Sequence, residues 1–257
     1  MWSLKLTHLD FNQRVVECRL AALCLHKYKF NTIDLTNIPK LKTVQESYGV
    51  TLESMLNQLD FTFARDDKKA AEPYTRAEVL KQLAISEDEL KKHVLSANTQ
   101  DMDTFWLYKR AEHVFSEAFR VHQFARICNS AAGGNSSVKL GLMMDGSHWS
   151  CSKGYQCSST ELDTLTDAAR DAGALGSRLT GAGWGGCTVS LIQADDEATF
   201  VSKGTHYTRL FVVSHNHYQT SVKSSFYDGK ETSNDTIFAT SPNKAAGVYD
   251  SNGNQLF

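Results

Sequence analysis

Apolar residues recur at nearly helical spacing between Phe11 and Lys29, and charged residues fill the positions between them. This arrangement is typical of an amphipathic helix that buries one face. The apolar face of this helix needs a packing partner, which the sequence does not identify. The pattern therefore predicts a long, packed helix over Phe11–Lys29.

Further helices are indicated by residues that start or stop a helix. Pro39 and Gly49 bound one short helical stretch, and Gly133 and Gly134 interrupt the chain after a long one. Hydroxyl and carboxylate residues three positions apart fit the capping box, in which each side chain satisfies a free backbone N–H group. The predicted helices are Leu41–Tyr48, a short one after Thr51, Met102–Cys128 with Phe105, Phe115 and Val121 among its buried residues, Ser137–Cys151, and one that ends near Gly173; the predicted capping boxes are Thr75–Glu78, Ser86–Glu89 and Ser158–Glu161.

The spacing of apolar residues changes after Gly173. Ser177–Thr180 is short and extended, and Cys187–Ile192 alternates as a strand does. Two further short strands are predicted at Thr236–Thr240 and Ala246–Tyr249. The fold class expected from this order is α+β, with helices packed on a small antiparallel sheet.

Composition and charge narrow the classes of function. Of the 257 residues, 41% are apolar and 22% are charged, and the formal net charge is −2, which is typical of a folded globule without the basic excess of a nucleic-acid binder. No apolar run approaches the roughly 18 residues of a membrane span, and residues 1–10 lack the apolar stretch of a signal peptide. We therefore expect a cytoplasmic protein whose partners are neither nucleic acid nor membrane, and whose six cysteines remain reduced.

The segment Gly181–Gly186 matches the dinucleotide-binding pattern G-x-G-x-x-G letter by letter. That pattern requires a helix after the last glycine, with its N-terminus facing the pyrophosphate. Here a strand follows, so a dinucleotide site is not expected. A plain glycine turn between two strands is one interpretation. A bare surface that admits a substrate is the other, and the composition of the segment does not separate them.

Several segments together resemble the galactokinase family of the GHMP small-metabolite kinases. Gly176–Leu191 resembles the third conserved motif of that family, and Ser147–Asp163 resembles the segment just ahead of it. Three more segments are most similar to the N-acetylgalactosamine kinase branch, namely Phe11–Ala22, Asn98–Asp101 and Leu107–Ala118. The resemblance extends over about residues 5–192 and, more weakly, 236–249.

The resemblance implies a sugar 1-kinase that transfers the ATP γ-phosphoryl group to galactose or N-acetylgalactosamine, with ATP and Mg²⁺ bound. It implies a helical segment over 1–130 and a C-terminal α+β domain over 131–257. Phe11 occupies the place of a sugar-contacting aromatic residue, and Lys5 that of a nucleotide-contacting lysine, although Leu4 replaces the asparagine expected before it. Gly181, Gly183, Gly185 and Gly186 are then expected to form one wall of the active site.

The resemblance also implies what the sequence leaves out. In the family, the phosphate loop and the catalytic aspartate lie in an N-terminal half, and no segment ahead of Phe11 resembles either of them. The chain is therefore expected to be a C-terminal half that is inactive alone and has no catalytic residue of its own, with a complementary N-terminal half as a conceivable partner. A non-catalytic regulator that binds sugar and nucleotide, and a truncated product without function, are the alternatives.

A few other polar residues invite a chemical role. Arg110, His113 and Glu117 share one helix face, where a polar stripe that orients the helix is favoured over acid–base chemistry. Arg178 is consistent with phosphate binding or with an exposed strand charge, and Trp184 is expected to be a packing anchor. Three histidines, at positions 206, 215 and 217, lack a cysteine or carboxylate at metal-ligand spacing, so no metal site is expected.

Overall fold

The structure is a computed structural model, and it describes residues 8–65, 68–129, 136–197, 199–200, 210–213 and 238–240. Helices dominate the chain up to Asp171 and strands follow, as predicted. The helices are α1 (His8–Phe30), α2 (Leu41–Tyr48), α3 (Leu52–Phe63), α4 (Arg76–Leu83), α5 (Glu87–Glu89), α6 (Leu107–Asn129), α7 (Ser136–Trp149) and α8 (Thr160–Asp171). Two π-helical segments, Leu90–Val94 and Ser150–Tyr155, continue α5 and α7.

Helix α1 lies at the centre of the helical region. Every residue from Leu20 to Leu25 is buried, so the helix is enclosed on all sides at its middle. It packs against α2, α3, α4 and α6. These four helices are the partners that the apolar face of α1 requires, and together they bury the main hydrophobic core.

The starts of the helices follow their capping residues. Thr75 with Glu78 and Ser86 with Glu89 form complete capping boxes, as predicted. The third predicted box is wrong by one position, because Ser159 caps α8 by accepting a hydrogen bond from the Leu162 N–H. Sequence spacing alone favoured Ser158, but that side chain bonds to Asp163 instead.

The long helix α6 begins later than predicted. Residues Thr104–Phe105 form strand β2, which pairs antiparallel with β1 (Tyr74–Thr75), so the helix starts only at Leu107. Phe105 and Phe115 are buried as expected, whereas Val121 is 61% exposed. The helical spacing continued through β2 by coincidence, and only its pairing with a segment 30 residues earlier shows that it is a strand.

A second sheet contains β3 (Gly176–Thr180), β4 (Cys187–Leu191), β5 (Leu210–Val213) and β6 (Phe238–Thr240), in that order. Strands β3 and β4 form an antiparallel hairpin in which Thr180 pairs with Cys187. This hairpin and the β1–β2 pair confirm the expected small antiparallel sheet within an α+β fold. Strands β5 and β6 extend the second sheet in parallel orientation, so the sheet is mixed.

Helix α7 lies against β3 at a very close backbone approach. A Cβ atom on Gly176 would lie 2.0 Å from the carbonyl oxygen of Gly141, and one on Gly141 would lie 2.1 Å from that of Leu175. Only glycine permits two backbones to approach so closely. This contact fixes the helix over the strand that leads into the glycine turn.

A second, smaller hydrophobic cluster lies beside this helix and strand. It contains Cys151, Cys157, Leu162 and Leu179, with Tyr155 and Trp184 packed at its edge. The main core is built from α1 to α6, and this cluster from the segments that follow. The division into 1–130 and 131–257 remains a prediction.

Two further observations concern the surface and the cysteines. In the part of the chain described here, no helix is both long and apolar enough to cross a membrane. None of the six cysteines forms a disulfide in this structure.

Candidate functional site

The turn between β3 and β4 is built from residues that adopt positive φ angles. Gly181, Gly183, Gly185 and Gly186 have φ angles of 83°, 87°, 141° and 96°, and Trp184 has 54°. Side chains other than hydrogen are disfavoured in this region, which is why glycine fills four of the five positions. The following strand β4 confirms that this segment lacks the helix required of a dinucleotide-binding loop.

The inner side of the glycine turn rests on Cys157. The Trp184 N–H donates to the Cys157 carbonyl oxygen at 2.6 Å, and a Cβ on Gly183 would lie 1.9 Å from the same oxygen. The outer side is open, because a Cβ on Gly181, Gly185 or Gly186 would meet no described atom within 4 Å. The turn therefore presents bare backbone outwards while its centre is clamped.

A buried cluster of charged residues lies next to Cys157, because Arg110 bonds to the preceding residue, Gln156. Arg110 is fully buried; its Nε donates to Glu17 at 2.6 Å and its Nη2 to the Gln156 side-chain oxygen at 2.7 Å, while Nη1 donates to the Gly154 carbonyl. Glu17 also accepts from the Trp106 backbone N–H at 2.9 Å. This network fixes the end of the second π-helical segment, where Gln156 adopts a positive φ of 58°.

A second arginine connects this cluster with the first turns of α1. Arg14 donates to Glu17 at 3.3 Å and to the Gln156 carbonyl at 3.4 Å. Phe11 precedes Arg14 by three residues on the same helix and is 49% exposed. The structure thus connects two predicted elements, the helix that carries Phe11 and the glycine turn, through Gln156 and Cys157.

The polar stripe of α6 has structural partners along its length. His113 accepts or donates a hydrogen bond at 2.9 Å to Ser150 and stacks on Tyr155, and burial lowers the pKa of His113 to about 4. Glu117 bonds to Ser147 and forms ion pairs with Arg120 and Arg178. These contacts support the orienting interpretation over acid–base chemistry.

His148 joins α7, α8 and β3 through both ring nitrogens. Its Nδ1 accepts from the Leu179 backbone N–H at 3.1 Å, so the proton of the neutral ring lies on Nε2. Nε2 lies 3.1 Å from an Asp163 oxygen and 3.0 Å from the Thr166 hydroxyl. Burial lowers the pKa of His148, which keeps the ring neutral.

Two of the remaining residues singled out in the sequence have packing or ion-pair contacts, and four lie outside the described residues. Trp184 lies at the edge of the second hydrophobic cluster, as expected of a packing anchor. Arg178 pairs with Glu117 at 3.5 Å and is only partly exposed. Lys5 and the histidines at 206, 215 and 217 lie outside the described residues, and the described residues contain no group of acidic, histidine or cysteine side chains that could hold a metal ion.

Sequence reasoning missed Glu17, Gln156 and Cys157 as parts of this site. Glu17 gave one signal, since it is an acidic residue within the apolar pattern of α1. In the structure only 2% of its surface is exposed. Gln156 and Cys157 gave none, because neither a positive φ at glutamine nor the acceptor role of a backbone carbonyl can be read from sequence.

Comparisons with known proteins add an independent observation. Residues 130–204 match the family described as GHMP kinases C terminal. Galactokinase of Dictyostelium discoideum is 38% identical over 221 residues, which cover 79% of this chain and 42% of that protein. Galactokinase of Saccharomyces cerevisiae is 38% identical over 206 residues, covering 71% of this chain and 39% of that protein. The chain spans about two fifths of the length of these relatives.

A solved structure is also similar. The crystal structure of Lactococcus lactis galactokinase complexed with galactose aligns with a TM-score of 0.48 and 21% sequence identity. The alignment covers 79% of this chain and 38% of that one.

Proposed function

Because the chain carries the C-terminal domain of the GHMP kinases and is homologous to galactokinases, we propose that it serves as the C-terminal part of an ATP-dependent sugar 1-kinase. The observation that carries this proposal is the 38% identity to Dictyostelium galactokinase, which extends over 79% of the chain. The reaction is transfer of the γ-phosphoryl group of ATP to the anomeric hydroxyl of galactose or N-acetylgalactosamine. Positioning and charge stabilisation dominate such a reaction.

In this proposal the residues of the chain bind and position the sugar. The half-exposed ring of Phe11 packs against the apolar face of the sugar ring, and the open side of the glycine turn forms one wall. Arg14 and Arg110 hold these two parts in register through Gln156. Phe11 lacks the phenolic hydroxyl that a tyrosine would present to the sugar at this position. A phenylalanine here resembles the N-acetylgalactosamine branch of the family.

ATP and Mg²⁺ are expected to bind mainly outside the described residues. The described residues hold no acidic cluster for a cation, and Lys5, the proposed nucleotide contact, is outside them. Mg²⁺ supplies charge neutralisation between phosphate oxygens when it is bound. We propose that the 257-residue chain alone does not phosphorylate sugar, because it spans only about two fifths of the length of the galactokinases it matches. The phosphate loop and the catalytic carboxylate then come from a complementary N-terminal half.

The experiment compares the chain alone with a fusion. The N-terminal part of Dictyostelium galactokinase, up to the start of the aligned region, is joined to this chain, and formation of sugar 1-phosphate is measured with galactose and with N-acetylgalactosamine. We expect no turnover by the chain alone above a mock preparation, and ATP-dependent turnover by the fusion. The ratio of kcat/KM for the two sugars then identifies the preferred substrate.

Two variants of the fusion test the proposed sugar contact. Phe11→Ala is expected to raise KM for the sugar, because the ring contact is lost while the phosphate machinery is untouched. Phe61→Ala is the matched control, since Phe61 is an aromatic residue on α3 that is 65% exposed. A folded fusion that phosphorylates neither sugar would overturn the proposed function. Turnover by the 257-residue chain alone would overturn its proposed inactivity.

A further inference from the structure

Two cysteines meet where the second π-helical segment ends. Cys151 lies within Ser150–Tyr155, and Cys157 follows the chain reversal at Gln156. The Cys157 N–H donates to the Cys151 carbonyl at 2.9 Å, which places the two residues side by side. Both side chains belong to the second hydrophobic cluster, so they share one apolar environment.

The geometry of a helix end explains this meeting. Where a left-handed residue reverses the chain after a helix, the residue that follows it commonly contacts a residue in the last turn. Gln156 is the left-handed residue here, so Cys157 is brought back onto Cys151. A disulfide requires Cα atoms about 4.4–6.8 Å apart. The backbone hydrogen bond from Cys157 to Cys151 brings the two residues next to each other, as a disulfide requires.

The surroundings make the two thiols unequal. The neighbouring Cys157 thiol lowers the pKa of Cys151, and the positive charges of Arg178 and Arg120 add to this effect, whereas burial and the charge of Glu117 oppose it. The neighbouring Cys151 thiol and burial raise the pKa of Cys157. Elsewhere, burial raises the pKa of Cys18 to about 11 and that of Cys24 to about 12. Because the thiolate is the reactive form, Cys151 is the nucleophile of this pair.

We propose that Cys151 and Cys157 form an oxidation-sensitive pair, which hydrogen peroxide converts into a reversible disulfide. The Cys151 thiolate attacks one peroxide oxygen, the O–O bond breaks, and the released hydroxide takes up a proton to become water. The Cys157 sulfur then attacks the sulfur of the resulting sulfenic acid, its proton leaves with the hydroxide as a second water, and the S–S bond forms. Two thiols are oxidised by two electrons, and one peroxide is reduced to two waters.

The position of the pair connects its oxidation state with the glycine turn. The carbonyl oxygen of Cys157 holds the Trp184 N–H, and Gly183 packs against the same oxygen. A cross-link at Cys157 therefore acts on the residue that clamps the turn. The disulfide requires no ligand, so it can be tested whether or not the sugar-kinase proposal holds.

The test is peptide mapping of the full 257-residue chain after treatment with equimolar hydrogen peroxide. Remaining thiols are alkylated, and the protein is digested with trypsin without reduction. Cleavage after Lys153 separates the two cysteines, so a disulfide joins the peptides 140–153 and 154–170. We expect this linked pair to be the main oxidation product, to be split by dithiothreitol, and to form about tenfold faster in native than in urea-unfolded protein.

Single variants separate the two roles. In Cys157→Ser the sulfenic acid at Cys151 persists, because no second thiol resolves it, and dimedone traps it there. In Cys151→Ser the Cys157 thiol resists the same dose of peroxide. Cys128→Ser, which removes an exposed cysteine on α6, is the matched control and leaves the linked pair unchanged.

Three outcomes would overturn the proposal. The linked peptides could be absent from native wild-type protein, where no variant needs to fold. Oxidation could instead cross-link chains through Cys128, or the linked pair could form equally fast in urea. Each of these results would mean that the native proximity of the two cysteines does not direct the chemistry.

Discussion

Two arginines share one buried carboxylate between α1 and α6. Arg110 and Arg14 both donate to Glu17, and both also reach Gln156. Charges taken out of water are stable only when their hydrogen bonds are satisfied, so the guanidinium of Arg110 needs all three of its acceptors. The network therefore acts as a fixed joint between the helical core and the segment that supports the glycine turn.

Removing the Arg110 side chain tests this joint. We expect Arg110→Met to lower the free energy of unfolding by about 3 kcal/mol, because Glu17 stays buried with only Arg14 and the Trp106 N–H as partners. Urea denaturation followed by circular dichroism measures the change. Arg126→Met, an exposed site on the same helix, is the control and is expected to cost less than about 0.5 kcal/mol. Equal losses in the two variants would contradict a stabilising role for the network.

The glycine turn offers a comparison in which φ is nearly constant. Gly181 and Gly183 have φ angles of 83° and 87°, yet only Gly183 faces an atom that a Cβ would strike. We expect Gly181→Ala to cost about 1 kcal/mol from backbone strain, and Gly183→Ala clearly more, because the Cys157 carbonyl must also move. Denaturation midpoints of both variants give the difference. If the two alanines cost the same, the clamp on the turn contributes nothing measurable.

Elements could be predicted where local signals agree with tertiary structure. Helix α2 agrees with the predicted stretch, because Gly49 takes the left-handed conformation that ends it, and α4 starts at its predicted capping box. The start of α6 was not predicted, since Thr104–Phe105 becomes a strand only by pairing with Tyr74–Thr75. The π-helical end of α7 was also missed, because its bonds to α6 decide it rather than its own sequence.

The contact between α7 and β3 is the element-scale counterpart of the glycine clamp. Gly141 and Gly146 lie on the same helix, but a Cβ on Gly141 would overlap the Leu175 backbone, whereas one on Gly146 comes no closer than 3.8 Å to the Arg120 side chain. The helix therefore tolerates a side chain at one glycine and not at the other. This contrast provides a matched pair of substitutions.

We expect the two alanine substitutions in α7 to change stability in opposite directions. Gly146→Ala raises the free energy of unfolding by about 0.5–1 kcal/mol, because alanine restricts the unfolded chain and favours the helix. Gly141→Ala lowers the free energy of unfolding by about 1–3 kcal/mol, because the added methyl group pushes the helix away from β3. Thermal or urea unfolding measures both. Stabilisation by Gly141→Ala would show that α7 does not approach β3 so closely.

At the scale of the whole molecule, the site depends on pairs that lie far apart in sequence. Glu17 and Arg110 are 93 positions apart, and Arg14 and Gln156 are 142 apart. The roles of Phe11 and the glycines were expected through a resemblance and stay predictions, and the sequence also predicted that α6 carries a polar face. Which partners that face would meet could not be predicted, because the distances are set by the packing of α1, α6 and the second π-helical segment together.

Two neutral histidines connect this packing to pH. His113 contacts Ser150 and Tyr155. The charged residues near it are Glu117, Arg110, Arg120 and Arg178. His148 contacts Asp163, Thr166 and the Leu179 N–H. Burial lowers both pKa values below the usual 6.5, that of His113 to about 4. At pH values between the lowered pKa of the folded state and the usual 6.5, the unfolded chain binds protons that the folded chain does not. Their contribution to stability is therefore complete above pH 6.5 and is lost as the pH falls towards the folded values.

We expect the free energy of unfolding, measured by urea denaturation from pH 7.5 to 5, to decrease steadily below pH 6.5. Each neutral histidine contributes up to about 1.4 kcal/mol per pH unit. Carboxylates with lowered pKa values, such as Asp163, lose their contribution only below their usual 3.8, outside this range. His113→Gln should reduce the slope, because it removes one proton-binding group from the unfolded chain. His122→Gln, at an exposed position of α6, is the control variant. An unchanged slope in His113→Gln would show that His113 titrates equally in both states, and that its contact with Ser150 and Tyr155 does not exclude the charged ring.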